Sequence, residues 1–378
     1  MALLEYCRKR DYSGFDPYDA LNSRLFSLTP FAKSRICRIA LTQILKRLPV
    51  NVRPLLLISG EQNAKALALF LMAFVKLSRL GMIGREDLEA MADRLAALKS
   101  GDAPYRAWGY SFPWQTRTVL VPKGYPNLVC TAFAANALFD AYEETGEGRF
   151  SEMALSAARY VLEDLYWTES GGIAGFAYPL PTVRSRVHNA NFLGAALLCR
   201  AYKNCGGDEE FRKAALRVAR YSASMQKEDG SWDYGELSTQ RWADNFHTGY
   251  NLCALGAVGR YAGTSEFDGV IARGYGFYKD HFFRGDGAPK YFSGRAYPID
   301  VHSVAQSIIT CLFFADADLG ARRRALSVAG WAFRNLWDPK GHFFRYRRFL
   351  PGLTNGISYM RWSQAWMLLA LSTLLETA

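Results

Sequence analysis

The stretch that decides the fold is Trp242-Ala243-Asp244-Asn245-Phe246-His247-Thr248-Gly249-Tyr250, which leads into an apolar segment with helical spacing. A similar run follows it along the chain, Tyr297-Pro298-Ile299-Asp300-Val301-His302-Ser303. In both runs an aromatic residue precedes an aspartate, then a histidine, and then an apolar helix. Polar groups repeated at the starts of successive helices predict that these starts line one shared cleft.

The two runs belong to a longer internal repeat. Each unit contains an apolar helix-like segment, a turn with glycine, an aromatic stretch and a second apolar segment. The turn glycines are Gly171, Gly230, Gly287 and Gly341, and the aromatic stretches contain Tyr178, Tyr234, Tyr291 and Tyr346. The spacing accommodates two helices of ordinary length with their connections. Each unit is therefore predicted to be a helical hairpin.

The repeat predicts six hairpins. Helices that are apolar around most of their circumference are predicted at 63–81, 127–143, 190–204, 247–262, 301–316 and 360–376. An alternating set with charge on one side is predicted at 22–47, 85–99, 150–166, 208–226, 266–282 and 320–337. Apolar circumferences indicate inner helices, and one charged face indicates outer helices.

This alternation predicts an all-α fold, an (α/α)6 toroid or six-hairpin barrel. An open helical solenoid is the alternative, although such arrays have shorter repeats of about 33 to 47 residues. One domain is expected over residues 1–378, with residues 1–50 forming an N-terminal arm and the first outer helix.

Composition limits the class of function. The seven cysteines are scattered without paired spacing, which is typical of a reducing compartment. No zinc-type cluster occurs, so no metal and no cofactor are expected.

The N-terminus lacks the apolar region of a signal peptide. The most apolar stretch, 66–75, is shorter than the roughly 20 residues that span a bilayer. The expectation is a cytoplasmic protein without a transmembrane segment.

The formal charge of +11 favours a negatively charged partner. No run of lysine and arginine resembles a nucleic-acid-binding arm, so no nucleic acid is expected. An acidic glycan or a phosphorylated carrier suits the charge better. The sequence leaves the oligomeric state open.

Polar side chains concentrate at the predicted starts of the inner helices. The main groups are Arg184, Arg186, His188, Asn189 and Asn191; Trp242, Asp244, Asn245, His247 and Tyr250; Asp300, His302, Ser303 and Gln306; and Tyr359, Arg361, Trp362, Gln364 and Trp366. Asparagine and aspartate can be ordinary helix caps there, and a single histidine can be structural. Capping alone requires no histidine, arginine or tryptophan, so the joint pattern predicts a site.

Aromatic residues support a glycan as the ligand. One loop holds Trp108, Tyr110, Phe112 and Trp114, and another holds Trp232, Tyr234 and Trp242. Any one of these rings can simply pack a loop over the end of the barrel. Several rings in one cleft, however, make platforms for the apolar faces of sugars.

Two kinds of chemistry fit these residue types, and both stay open. Hydrolysis of a glycosidic bond needs two carboxylates. The candidates are Asp233, Glu236, Asp244 and Asp300. Uronate lyase or C5-epimerase chemistry needs a group that neutralises the substrate carboxylate, with a base and an acid. The candidates are Asn245, His247, Tyr250 and Arg361.

Two resemblances follow from these motifs. The segment Gln226-Lys227-Glu228-Asp229-Gly230-Ser231-Trp232 resembles the Q-x-x-x-G-x-W repeat of terpene cyclases, which are also helical toroids, although the clustered aspartates of cyclases are absent. A second resemblance covers roughly residues 100–376. Its motifs are Tyr110-Ser111-Phe112-Pro113-Trp114-Gln115, the runs around His247 and His302, and Tyr359-Met360-Arg361-Trp362-Ser363-Gln364-Ala365-Trp366.

Those motifs resemble a family of bacterial and archaeal toroid proteins linked to surface-polysaccharide biosynthesis. More distantly, the architecture is similar to six-hairpin glycosidases, uronate lyases and the helical domain of glucuronyl C5-epimerases. The resemblance implies a role in extracellular polysaccharide synthesis. No catalytic residue carries over, because no motif aligns residue by residue.

The sequence therefore predicts a carbohydrate-active protein that works on an acidic glycan or its precursor. The predicted catalytic residues are Asp244, His247, Asp300, His302 and Tyr250. The predicted binding residues are Trp242, Asn245, Arg361, Trp362, Gln364, His188, Asn189, Asp233, Tyr234 and Trp114, with Arg361 as the anion anchor. A non-catalytic glycan-binding or assembly protein is the main alternative, followed by a terpene-cyclase-like enzyme.

Overall fold

The computed structural model describes residues 1–101 and 104–377, and helices dominate both ranges. Positions 102, 103 and 378 of the expected domain lie outside these ranges. The chain begins with α1 (Ala2–Arg8), α2 (Arg24–Ser27) and α3 (Arg35–Arg47). The inner helices are α4 (Ala64–Arg79), α6 (Leu128–Thr145), α8 (His188–Asn204), α10 (Asn245–Ala262), α12 (Val301–Phe313) and α14 (Trp366–Glu376). The outer helices are α5 (Arg85–Ala97), α7 (Gly148–Tyr160), α9 (Glu209–Ser224), α11 (Asp268–His281) and α13 (Ala321–Asn335).

The inner helices form a closed ring. Each contacts its neighbours in the order α4, α6, α8, α10, α12 and α14, and α14 contacts α4 again. Each inner helix from α4 to α12 also packs on the outer helix that follows it. The predicted (α/α)6 toroid is confirmed, and the open solenoid is wrong because the first and last inner helices touch.

The first predicted outer helix, 22–47, is interrupted. Pro30 begins a separate 3₁₀ turn, Pro30–Lys33, between α2 and α3. Proline has no backbone N–H to donate, so it starts a helical turn more readily than it continues one. A new start follows at Ser34, whose hydroxyl accepts from the Cys37 backbone N–H at 3.4 Å.

Short strands occur in the connections. They are β1 (Trp114–Gln115), β2 (Leu120–Val121), β3 (Tyr166–Thr168), β4 (Ala174–Phe176), β5 (Ile299–Asp300), β6 (Trp337–Asp338), β7 (Phe343–Phe344), β8 (Arg347–Leu350) and β9 (Leu353–Asn355). All pair antiparallel, as β1–β2, β3–β4, β6–β7 and the three-stranded β5–β8–β9. All nine lie between an outer helix and the next inner helix, in the loops that lead into the inner helix starts.

Side-chain caps fix four of those starts. Asn63, Asn127, Asp244 and Asp300 each accept a backbone N–H from the first turn of the helix that follows. Asp300, an ordinary cap being the alternative to a catalytic role there, does cap α12. Asn189 and Asn245 instead lie inside the first turns of α8 and α10.

The last inner helix starts differently. Residues Met360–Ala365 form a π-helical turn before α14, where the sequence predicted one continuous helix over 360–376. A π turn carries an extra residue and is often found at functional sites. Here the turn contains Arg361 and Trp362, both of which are buried.

Candidate functional site

A cavity of about 800 Å³ lies at the end of the toroid where the inner helices begin. The early turns of α4, α6, α8, α10 and α12 and the π turn before α14 all contribute to its wall. The lining residues are Tyr18, Lys46, Lys65, Tyr110, Phe112, Trp114, Val129, Tyr178, Asn189, Tyr234, Trp242, Ala243, Phe246, His247, Tyr250, Tyr291, Phe292, Ser293, Arg295, His302, Arg361 and Trp362. A cavity of this volume suits a sugar-sized ligand.

One side of the cavity carries a histidine oriented by an aspartate. His247 Nδ1 lies 3.0 Å from Asp244 Oδ1 and 2.9 Å from Oδ2, and the His247 backbone N–H donates to Oδ1 at 2.9 Å. Asp244 is completely buried, whereas the His247 side chain keeps 20% of its surface exposed. An aspartate on Nδ1 selects the tautomer that leaves Nε2 with a free lone pair. The contact with Asp244 therefore leaves His247 Nε2 available to a ligand in the cavity.

A second histidine is held by a tyrosine. The Tyr250 hydroxyl and His302 Nε2 are 2.6 Å apart, and His302 Nδ1 is buried without a hydrogen-bond partner among the described residues. Burial, reinforced by the charges of Lys65 and Arg361, holds the pKa of His302 well below its ordinary value. Burial likewise raises the pKa of Tyr250 well above its ordinary value. The pair thus consists of a neutral imidazole and a protonated phenol.

The two histidines share an aromatic neighbour. The ring of Phe246 lies 4.2 Å from the His247 ring and 4.3 Å from the His302 ring, measured between centroids. Trp366 stacks on His302 at 4.5 Å, and Trp362 meets its edge at 4.6 Å. This packing fixes both imidazoles on the same part of the cavity wall.

Asp300 is placed differently from Asp244. It is completely buried, and it accepts from the Trp362 indole N–H at 2.9 Å and from the Arg347 Nε–H at 2.8 Å. Neither aspartate lines the cavity, but Asp244 contacts a histidine that does. Asp300 therefore supports Trp362 and the start of α12 from behind, rather than presenting a carboxylate to a ligand.

The predicted anion anchor already has an acidic partner. Arg361 donates to both oxygens of Asp16, from Nε at 2.6 Å and from Nη2 at 2.8 Å. Two-point pairing of this kind fixes the guanidinium plane. Arg361 also lies about 5.1 Å from the Tyr110 and Trp362 ring centroids. Arg361 therefore lines the cavity with its positive charge balanced by the Asp16 carboxylate.

Lys65 supplies a different positive group. It belongs to the first turn of α4, is 3% exposed, and has no salt bridge within the described ranges. Its amine lies 4.1 Å from the Phe133 ring centroid, 5.3 Å from Tyr250 and 5.4 Å from Trp366. Burial, with added repulsion from Arg361, holds the pKa of Lys65 well below its ordinary value. A carboxylate bound in the cavity would restore its charge.

Aromatic rings form the remaining walls. Tyr234 and Trp242 stack at 4.6 Å with their planes 7° apart. Tyr110 and Phe112 stack at 5.4 Å with parallel planes. Broad rings with fixed orientation are suitable platforms for a sugar ring.

The predicted binding residues divide into two groups. Those that line the cavity are Trp242, Arg361, Trp362, Asn189, Tyr234 and Trp114. Those that lie outside this lining are Asn245, Gln364, His188 and Asp233. The last four have internal partners: Tyr278 for Asn245, the Phe344 backbone for Gln364, Ser222 for His188 and Lys227 for Asp233.

Several lining residues are absent from the site that the sequence predicts. Tyr18, Lys46 and Lys65 lie on the N-terminal segment and on the first inner helix, far along the chain from the repeated runs. Tyr178 and Tyr291 also line the cavity, and they belong to the aromatic stretches of the repeat. Together with Tyr234 they occupy equivalent positions in three hairpins. Once Tyr234 was chosen as a binding residue, the repeat could have predicted the other two.

Neither a metal site nor a membrane-spanning helix occurs in the described part of the chain. Within 1–101 and 104–377, no three His, Cys, Asp or Glu side chains come together as metal ligands. In the same ranges no helix is long and apolar enough to cross a bilayer.

Similarity to known proteins lies in the fold. No protein-family model matches the chain, and no curated protein sequence matches it either. Among solved structures, it is similar to cellobiose 2-epimerase from Bacillus thermoamylovorans, at 12% identity and a TM-score of 0.61, over 82% of this chain and 87% of that one. An α-mannanase from Bacteroides thetaiotaomicron gives 13% identity and a TM-score of 0.62 over 83% and 86% of the two chains. Unsaturated glucuronyl hydrolase from a Bacillus species gives 17% and 0.52 over 64% and 73%. The chain thus has the six-hairpin toroid fold of glycosidase-like structures.

Proposed function

We propose that this protein is a carbohydrate-active enzyme that transfers a proton at a carbon next to the carboxylate of an acidic sugar. Uronate C5-epimerisation and β-elimination by a lyase are the two reactions of this kind. The observation that carries the proposal is the composition of the cavity lining. It contains two histidines, six tyrosines and four basic side chains, and no aspartate or glutamate from the described ranges.

The geometry supports specific roles. His247 Nε2 is the base, because Asp244 holds the other ring nitrogen and stabilises the imidazolium that forms. Removal of the C5 proton places negative charge on the substrate carboxylate. The Lys65 ammonium and the fixed Arg361 guanidinium would stabilise that charge. Tyr250, still protonated, is the acid.

Both reactions begin with the transfer of the C5 proton to His247. In epimerisation, His247 takes the C5 proton and water on the opposite face of the sugar returns one to C5, because Tyr250 lies on the same side as His247, with its ring centroid 6.0 Å away. In elimination, the same abstraction is followed by cleavage of the C4–O bond, and Tyr250 protonates the departing oxygen. The proton on His247 and the Tyr250 phenolate then exchange with water in the cavity, because His302 Nδ1 is buried without a hydrogen-bond partner among the described residues and cannot relay a proton.

Hydrolysis has weaker support. Glycosidases need one carboxylic acid and one carboxylate flanking the scissile bond. Asp244 is occupied by His247, Asp300 by Arg347 and Trp362, and Asp233 by Lys227. The similar structures include an epimerase and glycosidases by name. At this level of identity their names support carbohydrate chemistry without selecting the reaction.

The proposed biological setting is the synthesis of an extracellular polysaccharide that contains an acidic sugar. The motif resemblance around His247, His302 and Arg361 supports this setting. The unpaired basic groups Lys46, Lys65 and Arg295 on the cavity wall, within the described residues, support an acidic substrate.

The deciding experiment incubates the protein with acidic oligosaccharides in D₂O. Epimerisation gives deuterium at C5 without cleavage, and elimination gives the ultraviolet absorbance of an unsaturated uronate. New reducing ends without either signal would indicate hydrolysis and would contradict the proposal. Binding with no product under any condition would support a non-catalytic glycan-binding protein.

A further inference from the structure

The segment 24–57, which contains α2 and α3 and precedes α4, exposes many large apolar side chains. Eight of its large apolar side chains are exposed: Leu25, Leu28, Phe31, Ile36, Ile44, Val50, Leu55 and Leu57. Leu28, Ile36 and Leu55 are 83%, 73% and 75% exposed. Four basic side chains, Arg24, Lys33, Arg35 and Arg47, are exposed among them. We call these twelve side chains the basic apolar patch.

Helix α3 shows how the patch is organised. Ile36, Ala40 and Ile44 follow each other at intervals of four residues, and all are exposed. The other side of the helix packs Leu41 and the buried Leu45 against a small core of the segment. A spacing of four residues keeps side chains on one helix face. Helix α3 therefore turns a second apolar face outward.

The charge of this surface has one sign. Between Asp19 and Glu61 the sequence contains no acidic residue. Within residues 1–101 and 104–377, none of the four basic side chains of the patch has an acidic partner. Arg35 donates instead to the Arg117 carbonyl at 3.0 Å, and Arg47 to the Gln43 carbonyl at 3.0 Å.

The inner side of the same segment borders the cavity. Lys46, one residue before Arg47, lines the cavity, hydrogen-bonds to Tyr18 and lies 5.8 Å from the Trp362 ring centroid. Arg38 Nε donates to Gln115 at 2.8 Å, which ties α3 to the loop containing Trp114. A partner bound to the patch would therefore lie next to the cavity.

We propose that the basic apolar patch binds the surface of an anionic lipid bilayer. Exposed leucine, isoleucine and phenylalanine side chains enter the boundary between headgroups and acyl chains, and neighbouring lysine and arginine bind the lipid phosphates. A segment with eight exposed apolar side chains, four exposed basic ones and no acidic residue matches this ligand on both counts. The docking goes beyond the proposed reaction and does not depend on it.

Vesicle flotation tests the docking directly. The whole protein is mixed with vesicles of phosphatidylglycerol and phosphatidylcholine, or of phosphatidylcholine alone. Binding is expected to the anionic vesicles, and raised salt should weaken it because the headgroup attraction is screened. Equal binding to both vesicle types, or to neither, would overturn the proposal.

Matched variants locate the surface. Ile36→Glu with Ile44→Glu should weaken vesicle binding about tenfold or more, and so should Arg24→Gln with Lys33→Gln, Arg35→Gln and Arg47→Gln. Leu326→Glu, at a 58% exposed position on outer helix α13, is the control and should leave binding unchanged. Unchanged melting temperatures would show that the variants fold.

Two readouts distinguish lipid docking from loss of the reaction and from self-association. Turnover of a free acidic oligosaccharide should be the same in the patch variants, so a failed reaction assay leaves the docking result intact. Light scattering reports on self-association. A dimer that the Ile36→Glu and Ile44→Glu changes dissociate, with no vesicle binding by the original protein, would assign the patch to a second copy of the chain instead.

Discussion

At the scale of single residues, Asp244 and Asp300 show how similar motifs acquire different roles. Both cap an inner helix. His247 follows its aspartate by three residues, so it comes back to the side of the cap and its ring reaches the carboxylate. His302 follows by two residues and points away, which leaves Asp300 to Arg347 and Trp362. One residue of spacing thus decides whether the capping aspartate also contacts the histidine ring.

Replacement of Asp244 by asparagine tests the first role. Asparagine still caps α10, but it removes the charge that orients and stabilises the His247 imidazolium. The kcat of the proposed reaction should fall by about 10²–10⁴-fold, with ligand affinity within about threefold of the original. Asp208→Asn is the control, since Asp208 caps outer helix α9. Equal losses in both variants would contradict a catalytic pair.

Replacement of Lys65 by methionine tests the substrate charge. Methionine keeps the apolar stem and removes a buried amine, so unfolding free energy should stay equal or rise by about 1 kcal/mol. Affinity for an acidic oligosaccharide should fall at least about tenfold, while a neutral one is unaffected. Calorimetric titration of both ligands measures the difference. An equal loss for the neutral sugar would argue against recognition of a carboxylate.

At the scale of elements, the hairpin repeat depends on turns that need glycine. Gly230 has φ of +88°, and a Cβ there would meet the Arg273 carbonyl oxygen at 2.5 Å. Gly230→Ala should therefore lower the free energy of unfolding by about 2 kcal/mol or more. Denaturant titration provides the measurement.

Gly276 is the matched control for that change. It lies within α11, and a Cβ there would meet nothing within 4 Å. Gly276→Ala should stabilise the protein by about 0.5–1 kcal/mol, because alanine loses less backbone entropy in a helix. Destabilisation of both variants by the same amount would show that the turn geometry is not what Gly230 contributes.

The sequence predicted an aromatic stretch in each hairpin, and the position of each stretch decides whether its tyrosine lines the cavity. Tyr178, Tyr234 and Tyr291 line the cavity, whereas Tyr346 is fully buried behind it. The repeat placed these rings at equivalent points of successive hairpins. Which of them face the cavity depends on how the connecting strands turn, and periodicity contains no information about that.

At the scale of the whole molecule, buried imidazoles link stability to pH. Burial lowers the pKa of His188 to about 4 and holds the pKa of His302 well below its ordinary value. The unfolded chain protonates histidine near pH 6.5, so below that pH it binds protons that the folded chain does not. Stability should therefore fall as pH drops from about 6.5 to about 4, by up to about 3 kcal/mol for His188.

A variant isolates this effect. His188→Asn keeps a polar group for Ser222 and cannot be protonated, so its unfolding free energy should fall less steeply across that window. His281→Asn, on outer helix α11, is the control and should keep the original slope. Denaturant titrations at several pH values give the comparison, and identical slopes in all three proteins would contradict the assignment to His188.

The sequence by itself determined the ring of six hairpins, the position of the inner helix starts, and the presence of His247, Tyr250, His302 and Trp242 at those starts. Periodicity and helix capping are local properties, so they can be recognised along the chain. Only the tertiary structure decided that Asp16 pairs with Arg361, that Lys65 is enclosed by rings, and that Asp300 faces away from the cavity. The first two depend on ring closure, which brings the N-terminal segment and α4 against the last hairpin, and the third depends on the pairing of β5 with β8.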